Sequence, residues 1–183
     1  MIEFREPEII GQQRYVLQTV AENMMRPVSR KYDESEHEIP WDYINFMHEA
    51  ARALGAGSLR PAGNPNESGD PGDGSPMGYQ ILANMIEVLS WGDAGLYLCT
   101  PGGGLGAAAV EATGTLEQKK LFLSRFRDEK PAFAAMAMTE PQAGSDTSAI
   151  RTMAVLDAVT REWVLNGEKI FVTGGKKALE DTD

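Results

Sequence analysis

Along the first two thirds of the chain, apolar residues recur every three or four positions, the spacing of one face of a helix. Over residues 7–32, Ile10, Val16, Leu17, Val20, Ala21 and Met24 follow this rule, and Pro27 predicts an interruption. Pro40 and Trp41 open a second helix that runs through Ile44, Met47 and Ala51 to about Leu54, with proline suited to a helix start because it lacks an N–H. Residues 55–76 are dense in Gly, Pro, Asn, Asp and Ser and read as a loop, either a plain surface connection or a lid. Further helices are predicted over 77–89, 92–112 and 115–127. In the last of these Thr115 is an N-cap, Glu117 lies in the first turn and basic residues follow, an order that complements the helix dipole.

The pattern changes at Pro131. Residues 133–138 and 152–156 read as strands, with Asp157 as the stop of the second. Residues 163–165 and 169–173 flank Asn166-Gly167, a strong hairpin signal because both positions tolerate positive φ. The expected fold class is α+β: a helical domain over 1–130, then the start of a β domain over 131–183. About four strands are too few to close a barrel and leave edges that need cover.

Composition adds limits. The chain has 183 residues, 42% of them hydrophobic, enough for a sizeable core. Its net charge of −10 disfavours nucleic acid as a partner, since phosphate contacts need clustered Lys and Arg. Cys99 is the single cysteine, so no internal disulfide forms and a reducing compartment fits. The sequence shows no apolar run long enough to cross a bilayer and no secretory or transit pattern at its acidic start. The expectation is a soluble intracellular protein, cytoplasmic or of the mitochondrial matrix, with the cytoplasm preferred.

Candidate chemistry concentrates at residues 137–146, A-M-T-E-P-Q-A-G-S-D. An apolar run delivers the Thr139 hydroxyl, breaks at Pro141 and turns through Ala143, Gly144 and Ser145 to Asp146. Such a loop is rich in donors and can approach a polar ring edge or a diphosphate, because Gly144 has no Cβ in the way. A bland strand-to-turn connection would use the same Gly and Pro.

This run resembles the first signature of the acyl-CoA dehydrogenases, in the order Thr139, Glu140, Gly144, Ser145, Asp146. Further on, W-V-L-N-G-E-K-I-F-V-T-G-G resembles the family's next flavin-contacting strand, and upstream G-T-L-E-Q-K-K-L-F-L resembles its helix before the signature. The resemblance implies a helical domain, a β barrel-like middle domain and a second helical bundle, with FAD as cofactor. On matching positions it implies that Met136 and Met138 pass the flavin and that Thr139 reaches the pyrimidine edge. Gly144 lets the loop approach, and Ser145 lies at the FAD diphosphate or nearby substrate. Phe171 falls beside the flavin ring, or is a core aromatic. Thr173 donates to flavin N5, followed by Gly174 where the family often has Asn or Ser. Leu105 matches a wall residue of the acyl-chain pocket.

The implied reaction is α,β-dehydrogenation of an acyl-CoA thioester. A base removes the α-proton and the β-hydrogen leaves as hydride to N5, giving the trans-2-enoyl product. The implied partners are the acyl-CoA substrate, electron-transfer flavoprotein as acceptor, and further copies of the chain in a dimer or tetramer. In the family the C-terminal bundle supplies the base, so the chain is expected to be an N-terminal portion and no catalytic residue is assigned. Glu140 lies in the signature but is expected to organise the loop. Rival readings are an acyl-CoA oxidase or flavin monooxygenase of the same fold, and a non-catalytic helical interaction remnant.

Other features read as structural or remain open. Pro101 to Gly106 contains G-x-G but lacks the βαβ context of a dinucleotide fold. Its glycines either leave the acyl pocket open or permit close packing of a helix start. His37 and His48 have no ligand-spaced partners, so no metal is expected. Cys99 suits a small buried hydrophobe, the acids of 33–38 a solvated face, and Lys176 and Lys177 either solvent or a CoA phosphate.

Overall fold

The computed structural model describes residues 7–35, 37–53 and 76–180, so the predicted loop, and with it the lid, lies almost wholly outside the described residues. Helix α1 (Glu8–Val20) buries Ile10 and Leu17 and continues through a π-helical turn, Ala21–Met25, into α2 (Arg26–Glu34). The wide turn precedes Pro27, which has no N–H to offer the carbonyl four residues back and whose ring would clash with it. The interruption is therefore a bulge, and Met25, not Met24, joins Ala21 as a fully buried residue.

Helix α3 (Trp41–Ala53) starts after Pro40 and buries Tyr43, Ile44, Met47, His48 and Ala51. Helix α4 spans Pro76–Leu98, and the helix expected over 92–112 is divided between its end and α5 (Gly104–Thr113). Asp93 makes the first break, with extended backbone (φ −171°, ψ 118°) inside α4. Its Oδ1 accepts the Leu96 N–H at 2.8 Å, which caps the final turn, and its Oδ2 accepts the Ser29 hydroxyl from α2. The second break is at Gly102 (φ 132°), where the chain leaves helical geometry. Helix α6 (Leu116–Leu123) carries the predicted N-cap: the Gln118 N–H donates to Thr115 Oγ1 (3.2 Å) and the Thr115 N–H to Gln118 Oε1 (2.8 Å).

The core joins Leu17, Ala21 and Met25 to Tyr43 and Met47 of α3 and to Met85, Leu89 and Leu96 of α4. Gly92 allows this approach, since a Cβ there would lie 2.8 Å from Ala21 Cβ and 3.0 Å from Met25 Sδ. At the rim, the Arg26 guanidinium sits 4.7 Å from the Trp91 ring centroid and donates to the Trp91 carbonyl. Among the described residues no helix is long and apolar enough to cross a membrane.

The fold is α+β, yet its sheet is smaller than the alternation suggests and pairs differently. Strand β1 (Met153–Leu156) runs antiparallel to β2 (Trp163–Asn166), with Met153 opposite Asn166 and Leu156 opposite Trp163. Asp157 does end β1: its Oδ1 accepts the N–H groups of Val159 (2.7 Å) and Thr160 (3.1 Å), and Arg161 at φ 61° completes the turn. Asn166-Gly167 is not a hairpin turn. Gly167 instead allows close approach to the start of β1, because a Cβ there would lie 2.1 Å from Thr152 Oγ1.

The strands expected at 133–138 and 169–173 are likewise corrected to chain without a ladder. The first makes an isolated parallel bridge, Phe133 with Gly102, through Gly102 N to Ala132 O (2.8 Å) and Ala134 N to Gly102 O (3.3 Å). The second is tied by Ile170 N to Thr139 O (2.9 Å), after which Phe171 at φ 55° turns the backbone out of strand geometry. Helix α7 (Gly175–Glu180), unannounced by the alternation, follows, and Lys177 Nζ lies 4.7 Å from the Trp41 ring centroid of α3.

A larger side chain at Gly92 should force α4 away from the bulge. Gly92→Val is expected to cost about 1–3 kcal/mol through overpacking, read by urea unfolding; an unchanged midpoint would contradict the close approach described here.

Candidate functional site

Glu140, at the centre of the 137–146 motif, is only 3% exposed. A buried carboxylate is costly unless its charge is answered by partners. Here Lys169 Nζ donates to Oε1 at 2.8 Å, the Thr152 N–H to Oε1 at 2.9 Å and the Arg151 N–H to Oε2 at 2.8 Å. The Gln142 amide also donates to Oε2, and the Glu140 and Ala143 main chains exchange bonds of 2.9 and 3.0 Å across the turn. Lys169 foremost, then Thr152 and the Arg151 N–H, hold the Glu140 carboxyl well below the usual carboxylate range. With both oxygens engaged, Glu140 organises the turn and is unsuited to accept a substrate proton.

The same lysine reaches the preceding residues, for Lys169 Nζ also donates to the Met138 carbonyl at 2.8 Å. Together with Ile170 N to Thr139 O, this lays 169–174 beside 134–139 in opposite direction. At the far end a Cβ on Gly174 would lie 3.9 Å from the Ala134 carbonyl. Met136, Met138 and Thr139 therefore share one segment and Phe171 and Thr173 its neighbour. Met138 is 47% and Phe171 89% exposed, so Phe171 is no core aromatic of the described chain. Thr139 is half-buried, and Thr173, Gly144 and Ser145 are exposed.

Among the described residues, the hydroxyls of Thr139, Ser145 and Thr173 and the main-chain N–H groups of Met136 and Met138 take no partner. No atom lies within 4 Å of a Cβ built on Gly144. This surface thus offers unused donors along two adjacent segments and an open turn beside them, features that fit a flat heteroaromatic ring with polar edges and a phosphate tail.

Leu105 lies on the first turn of α5 and is 59% exposed. Its neighbour Gly106 seats α5 against the site segment: a Cβ there would be 2.8 Å from Ala134 Cβ and 3.0 Å from the Ala135 N and O. At Gly103 a Cβ would lie 2.2 Å from Ala107 Cβ and 3.2 Å from Phe126. Of the two expectations for these glycines, close packing holds at Gly103 and Gly106, where the space is already filled, whereas nothing lies within 4 Å of a Cβ built on Gly104. On the other side, the buried His48 Nε2–H donates to the carbonyls of Asp128 (3.1 Å) and Glu129 (3.2 Å), anchoring the entry to the segment on α3.

No group of three His, Cys, Asp or Glu among the described residues is arranged to hold a metal ion. Burial raises the pKa of the half-buried Cys99 thiol, which makes it a poor nucleophile. Lys177 pairs with Glu180 at 2.5 Å and covers Trp41, and Lys176 lies 3.8 Å from the same carboxylate. Sequence reasoning missed Lys169. No local signal marks it, because its role follows only from the burial of Glu140.

Because the Glu140 carboxyl is lowered in the folded protein, its stabilising effect is present above its ordinary value of 4.5 and is lost as pH falls through the folded pKa. Wild-type thermal stability should exceed that of Glu140→Gln at pH 7, and the gap should narrow progressively below about pH 4.5. A gap that is constant from pH 7 to 3 would contradict the charged network.

Residues 135–179 match the family model described as acyl-CoA dehydrogenase, middle domain. The chain is 33% identical over 182 residues to acryloyl-CoA reductase (NADH) of Anaerotignum propionicum, covering 95% of this chain and 40% of that protein. It is 34% identical over 158 residues to a probable medium-chain specific acyl-CoA dehydrogenase 2, mitochondrial, of Caenorhabditis briggsae, covering 86% and 35%. The solved butyryl-CoA dehydrogenase from Megasphaera elsdenii superposes with a TM-score of 0.65 at 26% identity, covering 97% of this chain and 44% of that one. The chain thus spans about 40% of the length of the first of these relatives. A signature turn, a partner segment beside it and matches that cover nearly the whole chain agree, and the chain belongs to the acyl-CoA dehydrogenase family.

Proposed function

We propose that the protein takes part in FAD-dependent α,β-dehydrogenation of an acyl-CoA thioester to the trans-2-enoyl-CoA. The observation that carries this reading is the adjacency of the Thr139 and Thr173 segments with their hydroxyls unengaged, inside the region matched by the family model. When bound, FAD supplies the acceptor for the hydride that leaves the substrate β-carbon. Thr173 donates a hydrogen bond at N5, where a donor stabilises charge that builds on reduction. Thr139 holds the pyrimidine edge, Met136 and Met138 give apolar or main-chain contact, and Phe171 lies against the ring. Gly144 permits close approach, Ser145 binds the diphosphate or nearby substrate, and Leu105 lines the acyl chain.

In this reading residues 1–130 form the helical domain and 131–183 the start of the β domain. The protein works as a homodimer or homotetramer in the cytoplasm and passes its electrons to electron-transfer flavoprotein. The signature carboxylate Glu140 is excluded as the base by its engaged oxygens. The similarity to an acryloyl-CoA reductase favours a second reading, in which the same site works in the direction of enoyl-CoA reduction.

Titration of the flavin-free protein with FAD, followed by flavin fluorescence, tests the reading. Saturable one-to-one binding is expected, and Thr173→Ala should weaken it about two- to thirteenfold, the loss of one hydrogen bond of about 0.5–1.5 kcal/mol. A folded wild-type protein that takes up no FAD would overturn it. Under anaerobic conditions, reduction of bound flavin by acyl-CoA supports dehydrogenation, and reduction by NADH with consumption of enoyl-CoA supports the second direction.

A further inference from the structure

We infer that Lys169 is a positioning residue that sets the register between the Thr139 and Thr173 segments, an inference that rests on the flavin reading above. Its ammonium makes two contacts at once, 2.8 Å to Glu140 Oε1 and 2.8 Å to the Met138 carbonyl, while its own segment carries Phe171 and Thr173. The Glu140 end of this clamp is fixed, because that carboxylate is 3% exposed and also accepts the Arg151 and Thr152 N–H groups. The Lys169 side chain is itself 21% exposed, so it is shielded without being sealed from water.

Little else holds the two segments in register. Between Met136–Thr139 and Ile170–Thr173 the main chain supplies one hydrogen bond, Ile170 N to Thr139 O, among the described residues. Directly after it Phe171 adopts φ 55°, a conformation an aromatic residue avoids unless its surroundings impose it. A lone hydrogen bond beside a disfavoured residue is a weak determinant of register. Lys169 adds a charge-assisted anchor on the residue immediately before Ile170. Lys169 touches neither proposed flavin-contacting hydroxyl; it acts through Glu140 and the Met138 carbonyl on where those hydroxyls lie.

The test compares FAD-loaded wild type, Lys169→Met, which keeps the aliphatic stem, and Lys169→Arg, which keeps the charge. Lys169→Met should weaken FAD binding tenfold or more, and in the fraction still loaded it should displace the flavin absorption bands and the midpoint potential. Lys169→Arg should stay within about threefold of wild type, because the guanidinium can still pair with Glu140. Wild-type affinity in Lys169→Met overturns the inference, as does lowered thermal stability with unmoved bands and potential, which marks a merely structural lysine. If Lys169→Met does not fold, Glu140→Gln decides by the same spectroscopic readout, and unmoved bands overturn the inference. If wild type binds no FAD, the flavin reading fails, and hydrogen exchange at the Ile170 amide of the flavin-free protein still reports register. A tenfold faster exchange in Lys169→Met supports the clamp, and an unchanged rate overturns it.

Discussion

A carboxylate removed from water dictates the arrangement of the last third of this chain. Glu140 cannot remain charged at 3% exposure without donors, and the chain supplies them from three directions: Lys169, the Arg151 and Thr152 main chain, and Gln142. Meeting that demand fixes the course of residues distant in sequence. The chain after β2 is drawn to Thr139 instead of returning along β2, and the start of β1 is held against the motif. The two segments that bear the proposed flavin contacts are neighbours as a consequence of one buried charge.

Small residues make the second constraint. Gly92 lets α4 close on the π-helical turn that Pro27 requires, and Gly106 lets α5 close on Ala134 and Ala135. The first contact lies in the helical core and the second joins α5 to the site segment. His48 reinforces the junction by donating to Asp128 and Glu129. The site segment is thereby tied to α5 by close packing and to α3 by the His48 hydrogen bonds.

Most helices were legible because their signals are local. The Thr115 cap, Pro40 before α3 and the apolar spacing of α1 each act within a few residues. Gly102 broke the helix expected over 92–112 through a partner far along the chain, the 132–134 segment, while Asp93 combines a local cap at Leu96 with the distant Ser29. The strand errors have the same origin. Alternation at 133–138 and 169–173 reports an extended chain but cannot report whether a ladder forms, and the Asn166-Gly167 signal is local while the Glu140–Lys169 pair is not. The candidate residues of the motif were legible as a group through family resemblance; Lys169 was not, since its importance exists only once Glu140 is buried.

In the proposed reading the Glu140 network presents Thr139 and Thr173 to a single flavin. A crystal structure of the protein grown with FAD tests it most directly. Electron density is expected for one isoalloxazine ring with both threonines within hydrogen-bonding distance of it, about 2.7–3.2 Å, and with Glu140 still bound to Lys169. A flavin contacting neither threonine, or a Glu140 side chain turned out to solvent beneath a bound flavin, would contradict it.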